Sequence, residues 1–372
     1  MKQPIARLLS TGLFTPPHAI SNEELVQAYN AFVEKWNAEN PDKEPKEGSS
    51  AAFIEKASGI KSRFCLDKEG ILDINRMRPK LEQRSNDQLS IMAEMGVAAA
   101  RDAMKAADLG PDDIDAVICA ASNMERQYPA MAVEIQSALG INGYAFDMNV
   151  ACASAAFGIQ TGIGLLGTGA RRVLMVNPEI CTAHINFKDR DGHFIFGDVA
   201  TAVIIGTPDG DATPGQFDVL DTRLATRFSN NIRNNMGFLD PSTDTIIDLS
   251  DPDSDKLFKQ KGRSVFKEVV PLVSEMIATH LADSGIPLGD VRRLWLHQAN
   301  LSMNVLIAKR ILGHDPSAEE APVVLDEYAN TSSAGSIIAY HRHRDGMAPG
   351  EIGVISGFGA GYSAGSVIVR AN

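Results

Sequence analysis

The chain has 372 residues, 44% of them hydrophobic and 22% charged, which is typical of one large globular domain or two fused ones. Its formal net charge of -12 argues against a general nucleic-acid-binding protein, because such proteins neutralise phosphates with a basic surface. The four cysteines show no CxxC spacing, so we expect neither a zinc site nor a disulfide framework. No apolar run approaches the roughly 18 residues of a membrane span, and we expect a cytoplasmic protein without membrane contact.

Apolar runs of strand length alternate along the chain with segments of helical periodicity, which predicts an α/β layered architecture. The strand-like runs occupy 115–122, 172–177, 201–206 and 351–358. Two long helices are predicted, one from a cap at Ser85 to Gly110 and one over 262–285. Both helices place apolar residues at every third or fourth position.

Two polar stretches interrupt the first half of the chain. Residues 37–50 are rich in charge, proline and glycine, and residues 65–87 mix charges with isolated apolar side chains. Both stretches predict surface loops or insertions. A passive surface role and a role in covering a substrate site are both open for them.

A weak internal repeat divides the chain into two predicted α/β halves, residues 1–206 and 207–372. In each half, a strand and a helical segment that ends in Leu-Gly precede a turn rich in small residues. In the first half this order leads to Cys152, and in the second half it leads from His297 to Asn330, 33 residues later. Because catalytic groups gather at strand ends in α/β sheets, we expect these turns to carry the active site.

Cys152 lies in the run FDMNVACASAAFGIQTG, which predicts a strand, a tight turn and a helix with the thiol in its first turn. Because the N–H groups at a helix N-terminus stabilise a thiolate, we expect the pKa of Cys152 to lie below its ordinary value of about 8.5. A buried structural cysteine is the alternative, and the surroundings of Cys152 must decide between the two.

Four motifs together carry a family resemblance. They are the Cys152 run at 146–162, the HQAN motif at 297–300, the NTSSA motif at 330–334 and the glycine-rich run at 357–369. In combination they resemble a β-ketoacyl-ACP synthase III of the thiolase superfamily over nearly the whole chain. The resemblance implies a duplicated five-layer αβαβα sandwich, a homodimer, and a reaction that uses no metal and no cofactor besides its substrates.

The chemistry of these residues fits a condensing enzyme. Cys152 is a soft nucleophile that can take an acyl group from a thioester. His297 and Asn330 can each donate a hydrogen bond to a carbonyl oxygen, which suits the enolate formed when a malonyl thioester loses carbon dioxide. The resemblance assigns the backbone N–H groups of Cys152 and Ala360 to the tetrahedral intermediate, with Ala360 in place of the family's usual glycine.

The resemblance also implies contacts with coenzyme A. Arg190 matches an arginine that stacks on the adenine, although a surface salt bridge would explain Arg190 equally well. Phe53 and Ala57 stand where the family has the tryptophan and the arginine that complete its adenine clamp. The clamp is therefore expected to be altered in this chain.

Nearer the nucleophile, Asn300 and Phe266 match residues that line the pantetheine tunnel, and Phe358 is expected in the same substrate-binding surface. Tyr128 matches an aromatic residue that reaches across the dimer and limits the neighbouring acyl pocket. A place in the hydrophobic core is the alternative for Phe266 and Tyr128.

A docking patch for the carrier protein is implied by the same resemblance. Lys267, Lys309 and Arg310 match cations that engage the acidic acyl carrier protein, which would explain how an acidic enzyme meets an acidic partner. Ser302 stands where the family commonly has an arginine. An ordinary solvated helix face is the alternative for these charges.

The leading hypothesis is the condensation of an acyl-CoA primer with malonyl-ACP to give 3-oxoacyl-ACP in fatty acid biosynthesis, with the primer's length open. A condensing enzyme of a specialised pathway that uses a medium-chain acyl-CoA is an alternative. Acyl transfer to an alcohol or amine would require Cys152 but not Asn330, and a non-catalytic acyl-binding subunit would require neither. A degradative thiolase is not expected, because no cysteine follows Cys181.

Overall fold

The computed structural model describes residues 3–242, 247–249 and 254–372. The strands are β1 (Ala6–Phe14), β2 (His18–Ser21), β3 (Ser62–Cys65), β4 (Ala116–Ala120), β5 (Tyr144–Met148), β6 (Arg172–Ile180), β7 (Asp198–Gly206), β8 (Phe217–Ser229), β9 (Ile232–Arg233), β10 (Lys259–Gln260), β11 (Val291–Leu296), β12 (Ile352–Gly359) and β13 (Gly361–Ala371). The α-helices are α1 (Asn22–Glu39), α2 (Ala51–Ser58), α3 (Lys68–Leu72), α4 (Ile91–Ala106), α5 (Met131–Leu139), α6 (Ser154–Leu166), α7 (Gly262–Asp283), α8 (Leu301–Leu312), α9 (Leu325–Tyr328) and α10 (Gly335–His343).

The main sheet has nine strands in the order β11-β12-β13-β8-β1-β7-β6-β4-β5. β4 pairs in parallel with β5 and β6, and β11 pairs in parallel with β12, whereas the remaining pairs are antiparallel. The strands from β1 to β7 and those from β8 to β13 meet where β1 pairs with β8. The chain passes between the two sets in the connection 207–216, and the division at residue 206 stays a prediction.

Helices cover the sheet in layers. α4 and α5 pack on the outer face of the first set of strands, and α7 and α8 pack on the outer face of the second set. α6 and α10 share one core with strands from both sets, so they form the middle layer. The five-layer αβαβα order is thus confirmed.

Alternation along the strands explains this layering, because successive side chains of a strand point to opposite faces of a sheet. Val117 packs with α4 and α5, whereas the next residue, Ile118, packs in the middle layer. Val367 packs in the middle layer, whereas Ile368 packs with α7 and α8. Strands covered on both faces read as continuous apolar runs, as the sequence of β7 does.

The two long predicted helices are present, with one corrected boundary. α7 lies within the predicted range 262–285. α4 begins later than predicted, because its N-cap is Ser90 and not Ser85: the Ser90 hydroxyl accepts a hydrogen bond from the Ala93 N–H at 3.2 Å. α4 also ends at Ala106, before Gly110.

The first polar stretch, 37–50, is ordered by side chains of α1. The helix extends into the stretch, and the loop that follows is fixed by two asparagines. Asn37 exchanges two hydrogen bonds with the backbone of Lys46, at 3.0 and 2.8 Å, and Asn30 does the same with Ser49, at 3.1 and 2.8 Å. The loop therefore has a defined shape although most of it is exposed.

The second polar stretch, 65–87, is not uniformly a surface loop. It contains α3, whose N-cap Asp67 accepts a hydrogen bond from the Gly70 N–H. Ile71 and Met77 are buried and pack in the same core cluster as residues of α1. This part of the stretch forms structure of its own beside the main sheet.

A buried ion cluster joins the two sets of strands at β1 and β8. Arg7 Nε lies 2.8 Å from one carboxylate oxygen of Asp218, and a guanidinium nitrogen of Arg370 on β13 lies 2.9 Å from the other. Burial raises the pKa of Asp218, but the hydrogen bonds from both arginines outweigh that effect and leave the pKa below its ordinary value. Asp218 is therefore charged where the two sets of strands meet.

We predict that Asp218→Asn lowers the free energy of unfolding by about 3 kcal/mol, because it removes the buried negative charge that both arginines contact. Urea unfolding at pH 7 measures the change, with the exposed Asp209→Asn as control. Since the folded pKa of Asp218 is lowered, its stabilisation is present above the unfolded pKa of about 3.9 and is lost as the pH falls through the folded value. Equal unfolding midpoints for the two variants would contradict this role.

Candidate active site

The predicted strand, turn and helix around Cys152 are confirmed. Cys152 lies in a 3-10 turn, Ala151–Ala153, between β5 and α6. The Ser154 hydroxyl accepts a hydrogen bond from the Val150 N–H at 2.8 Å and donates to the Ala151 carbonyl at 2.7 Å. These bonds fix the turn that presents the thiol.

The pKa of Cys152 is raised, whereas the sequence analysis expected it to be lowered. Burial raises the pKa of Cys152 to about 11, and this outweighs the lowering by the Ser332 hydroxyl, which lies 3.3 Å from the sulfur. The backbone N–H groups of Cys152 and Ala360 also lie within reach of the sulfur and lower the pKa. The expectation of a lowered pKa was wrong because burial in the folded protein outweighs these local donors.

β12 comes very close to the nucleophile at Gly359. A Cβ atom at position 359 would lie 2.7 Å from Cys152 Cβ and 3.0 Å from its sulfur. Only glycine allows this approach, and it brings the N–H of the next residue, Ala360, to the sulfur.

His297 follows β11 and is buried, with 2% of its surface exposed. Its ring meets the Phe358 ring edge to face, with 5.3 Å between the centroids. Burial lowers the pKa of His297 to about 4, although a hydrogen bond with the backbone of Ser332 raises it. At neutral pH the imidazole is therefore uncharged and has a single N–H, which can donate either to the Ser332 backbone or to a group in the cavity.

Asn330 follows α9 and is fixed by its own backbone and side chain. Its N–H donates to the Ile195 carbonyl at 2.9 Å, and its carbonyl accepts from the Gly197 N–H at 3.1 Å. Its side-chain oxygen accepts from the Ser332 N–H at 2.8 Å. The amide nitrogen is then the group left to donate toward the cavity that Asn330 lines.

Two cavities reach Cys152. The larger has a volume of about 790 Å³ and is lined by Cys152, His297 and Asn330 together. The smaller has a volume of about 90 Å³, and its lining includes Cys181, His184 and Asn234. The structure thus brings the three predicted catalytic residues to one space.

The predicted substrate-binding residues divide between this space and the surface. Phe53, Phe266, Asn300 and Phe358 line the larger cavity. Phe266 also packs against the core of the second set of strands, and its contact with pantetheine stays a prediction. Tyr128 is 84% exposed and lines neither cavity that reaches Cys152, so the core interpretation of Tyr128 was wrong.

Arg190 combines stacking with ion pairing. Its guanidinium lies over the Phe53 ring, 4.4 Å from the centroid, and its Nε donates to the Gly48 carbonyl at 2.8 Å. Glu47 and Asp191 each have a carboxylate oxygen 3.8 Å from the guanidinium. The first polar stretch therefore contacts the arginine that the family resemblance matches to a coenzyme A ligand.

The predicted docking cations occupy two places. Lys267 lines the larger cavity together with Arg263. Lys309 and Arg310 lie in the last turn of α8 and are exposed, and Lys309 Nζ lies 2.7 Å from a carboxylate oxygen of Asp315. An interpretation as a solvated helix face fits α8 as well as docking does.

Two polar residues near Cys152 were not singled out from the sequence. Ser332, within the NTSSA motif, contacts the sulfur itself. Glu179 lies near the end of the apolar strand β6, is 1% exposed, and acts electrostatically on Cys152. A carboxylate inside an apolar run was the signal that could have identified Glu179.

Metal-binding clusters and membrane spans were sought over residues 3–242, 247–249 and 254–372. This part of the chain contains no group of three His, Cys, Asp or Glu side chains placed to hold a metal ion. None of its helices is both long enough and apolar enough to cross a membrane.

Comparisons with known proteins identify one family. Residues 146–226 match the family described as "3-Oxoacyl-[acyl-carrier-protein (ACP)] synthase III". Residues 281–371 match the C-terminal part of the same family. A beta-ketodecanoyl-[acyl-carrier-protein] synthase of Pseudomonas aeruginosa is 57% identical over 352 residues, which cover 93% of this chain and 99% of the relative. A beta-ketoacyl-[acyl-carrier-protein] synthase III of Sinorhizobium medicae is 28% identical, covering 93% of this chain and 98% of the relative.

Solved structures share the fold. The 3-oxoacyl-[acyl-carrier-protein] synthase III of Aquifex aeolicus superposes with a TM-score of 0.76 at 23% identity, covering 98% of this chain and 99% of its own. The corresponding synthase III of Pseudomonas aeruginosa gives a TM-score of 0.75 at 22% identity, covering 98% of both chains.

We predict that Gly359→Ala slows alkylation of Cys152 by iodoacetamide about tenfold, because the added methyl group would displace the sulfur or β12. Mass spectrometry of the Cys152 peptide measures the rate. Gly164→Ala is the matched control, since a Cβ atom there, on α6, meets nothing within 4 Å. An unchanged rate in folded Gly359→Ala protein would show that the close approach is unimportant.

Proposed function

The chain belongs to the 3-oxoacyl-[acyl-carrier-protein] synthase III family, and on that premise we propose that it condenses an acyl-CoA primer with malonyl-ACP through an acyl-Cys152 intermediate. The observation that carries the proposal is the convergence of Cys152, His297 and Asn330 on one cavity. The neutral imidazole and the oriented amide supply two hydrogen-bond donors beside a sulfur nucleophile.

In the first half-reaction, the Cys152 sulfur attacks the thioester carbonyl of the primer and coenzyme A leaves as the thiol. The carbonyl oxygen becomes an oxyanion, and we assign the N–H groups of Cys152 and Ala360 as its donors, which is supported by their interaction with the sulfur. Because the resting sulfur is a thiol with a raised pKa, its proton must leave during acylation.

In the second half-reaction, malonyl-ACP binds and loses carbon dioxide. The electron pair of the broken C–C bond forms an enolate, whose oxygen accepts hydrogen bonds from His297 and Asn330. The enolate carbon attacks the acyl-Cys152 carbonyl, the C–S bond breaks, and 3-oxoacyl-ACP leaves. Two neutral donors in a buried site stabilise the enolate more than they would in water.

We infer a medium-chain primer from the similarity to the Pseudomonas aeruginosa relative. That relative is named for a beta-ketodecanoyl product, which has ten carbons, so an eight-carbon primer would give it after addition of two. The smaller cavity supports this proposal, because it offers space for part of an acyl group next to the Cys152 sulfur.

We further infer a homodimer formed through β5. This strand is at the end of the main sheet, so one row of its backbone hydrogen-bonding groups is open to a second chain. Tyr144 on β5 is 47% exposed, which gives this edge of the sheet an exposed aromatic group suited to an interface. A cytoplasmic location fits the two proposed substrates.

We predict that incubation with octanoyl-CoA adds one octanoyl group to Cys152, and that malonyl-ACP then removes it as 3-oxodecanoyl-ACP with release of carbon dioxide. Asn330→Ala should still acylate but should lose about 100-fold in the rate of decarboxylation, as expected when one oxyanion donor is removed. Intact-protein mass spectrometry and carbon dioxide release measure the two steps.

Cys152→Ser is the control for the site of acylation. If no acyl-CoA of any length acylates the wild-type protein, the enzyme proposal fails. If acylated protein forms but malonyl-ACP yields no carbon dioxide, acyl transfer to another acceptor becomes the better function. Asn330→Ala with a wild-type rate of decarboxylation would remove Asn330 from the mechanism.

For carrier docking, we predict that Lys267→Glu raises the KM for malonyl-ACP about fivefold at low salt with little change in kcat, because repulsion slows the encounter with an acidic carrier. The difference should shrink as ionic strength rises. Lys105→Glu, an exposed reversal at the end of α4, is the control. Equal KM values for the two variants would place carrier docking elsewhere.

A further inference from the structure

Glu179 is a buried carboxylate that the proposed chemistry does not use. One of its oxygens accepts hydrogen bonds from the backbone N–H groups of Ser122 and Ser333, at 3.0 and 3.2 Å, and from the Ser333 hydroxyl. The other oxygen accepts from the Ser122 hydroxyl. Donors from two turns, one after β4 and one after Asn330, thus converge on one side chain.

The turn that Glu179 holds is the turn that contacts the nucleophile. Ser332 precedes Ser333, donates its hydroxyl hydrogen bond to the Cys152 sulfur at 3.3 Å, and donates its N–H to Asn330. The φ of Ser332 is 49°, in the left-handed region that a serine adopts only when its surroundings impose it. The paired bonds from Ser333 to Glu179 are such a constraint.

The charge of Glu179 disfavours the thiolate form of Cys152. Its negative charge raises the pKa of Cys152, whereas the hydroxyl of Ser332 lowers that pKa by a larger amount. Burial raises the pKa of Glu179 itself to about 7, against the hydrogen bonds from Ser122 and Ser333 that lower it. An anion that disfavours the thiolate has no direct benefit for the nucleophile, so its contribution must lie in the groups it orients.

We propose that Glu179 is a positioning residue that holds the Ser332 hydroxyl against the Cys152 sulfur by fixing the turn at Ser333. This inference rests on the proposed role of Cys152 as the nucleophile. It predicts that the favourable contact of Ser332 depends on Glu179, although the charge of Glu179 acts in the opposite direction.

The charge of Glu179 and its hold on Ser332 have opposite effects on the rate at which iodoacetamide alkylates Cys152. We measure this rate at pH 8.5, where Glu179 is ionised. Loss of the charge alone would speed alkylation, because it would lower the pKa of Cys152. Loss of the Ser332 contact would slow it. We expect Glu179→Ala to slow alkylation about fivefold, the size expected for one lost hydrogen bond.

Glu179→Gln should restore part of the rate, because its amide oxygen can still accept from Ser333. Ser332→Ala should be slow by itself, and the double variant Glu179→Ala with Ser332→Ala should be no slower than the slower single variant, since both changes remove one contact. Glu44→Gln, an exposed change, should keep the wild-type rate.

A rate in Glu179→Ala at or above the wild-type rate would overturn the proposal and make Glu179 an electrostatic neighbour only. Multiplicative losses in the double variant would also overturn it, because the two residues would then act independently. Urea unfolding checks each variant, and if Glu179→Ala does not fold, the cycle of Glu179→Gln with Ser332→Ala decides. Alkylation needs no acyl donor, so failure of wild-type acylation by acyl-CoA would reject the proposed function without deciding the role of Glu179.

Discussion

The close approach of β12 to Cys152 is the constraint on which the rest of the site depends. Gly359 has no Cβ, so the strand passes where any side chain would collide with the sulfur. On one side of this contact, the Ala360 N–H reaches the sulfur. On the other side, the Phe358 ring meets the imidazole of His297. One strand end therefore fixes the relation between the nucleophile, a backbone donor and a side-chain donor.

Burial then decides the charges of the site. It raises the pKa of Cys152 and lowers that of His297, so thiol and imidazole are both neutral at rest. A neutral site of low dielectric makes each hydrogen-bond donor more effective when negative charge develops on a substrate oxygen. The same burial leaves the nucleophile protonated until the substrate arrives. Stabilisation of the enolate and activation of the sulfur thus place opposite demands on the dielectric of one cavity.

Local signals in the sequence predicted local structure well. The strand, turn and helix at Cys152 follow from a few neighbouring residues, and His297 and Asn330, which the sequence analysis grouped with Cys152, line the same cavity. The predicted lowering of the Cys152 pKa was wrong, because a helix terminus is visible in the sequence whereas burial is a property of the tertiary fold. Glu179 was missed for the same reason, since its donors come from turns 57 and 154 residues away in the chain.

Arg190 is held in place by Phe53 and by the first polar stretch. Phe53 offers one ring face to the guanidinium, and the loop 40–50 adds the Gly48 carbonyl and the Glu47 carboxylate. That loop is in turn fixed by asparagines of α1, so Arg190 is held in place although Phe53 and Ala57 stand where the family resemblance has a tryptophan and an arginine. Under the proposed function, the outward part of the guanidinium, with 34% of the side chain exposed, is what remains to meet coenzyme A. The same proposal places the first polar stretch in the substrate-binding surface, because Gly48 and Glu47 help to orient Arg190.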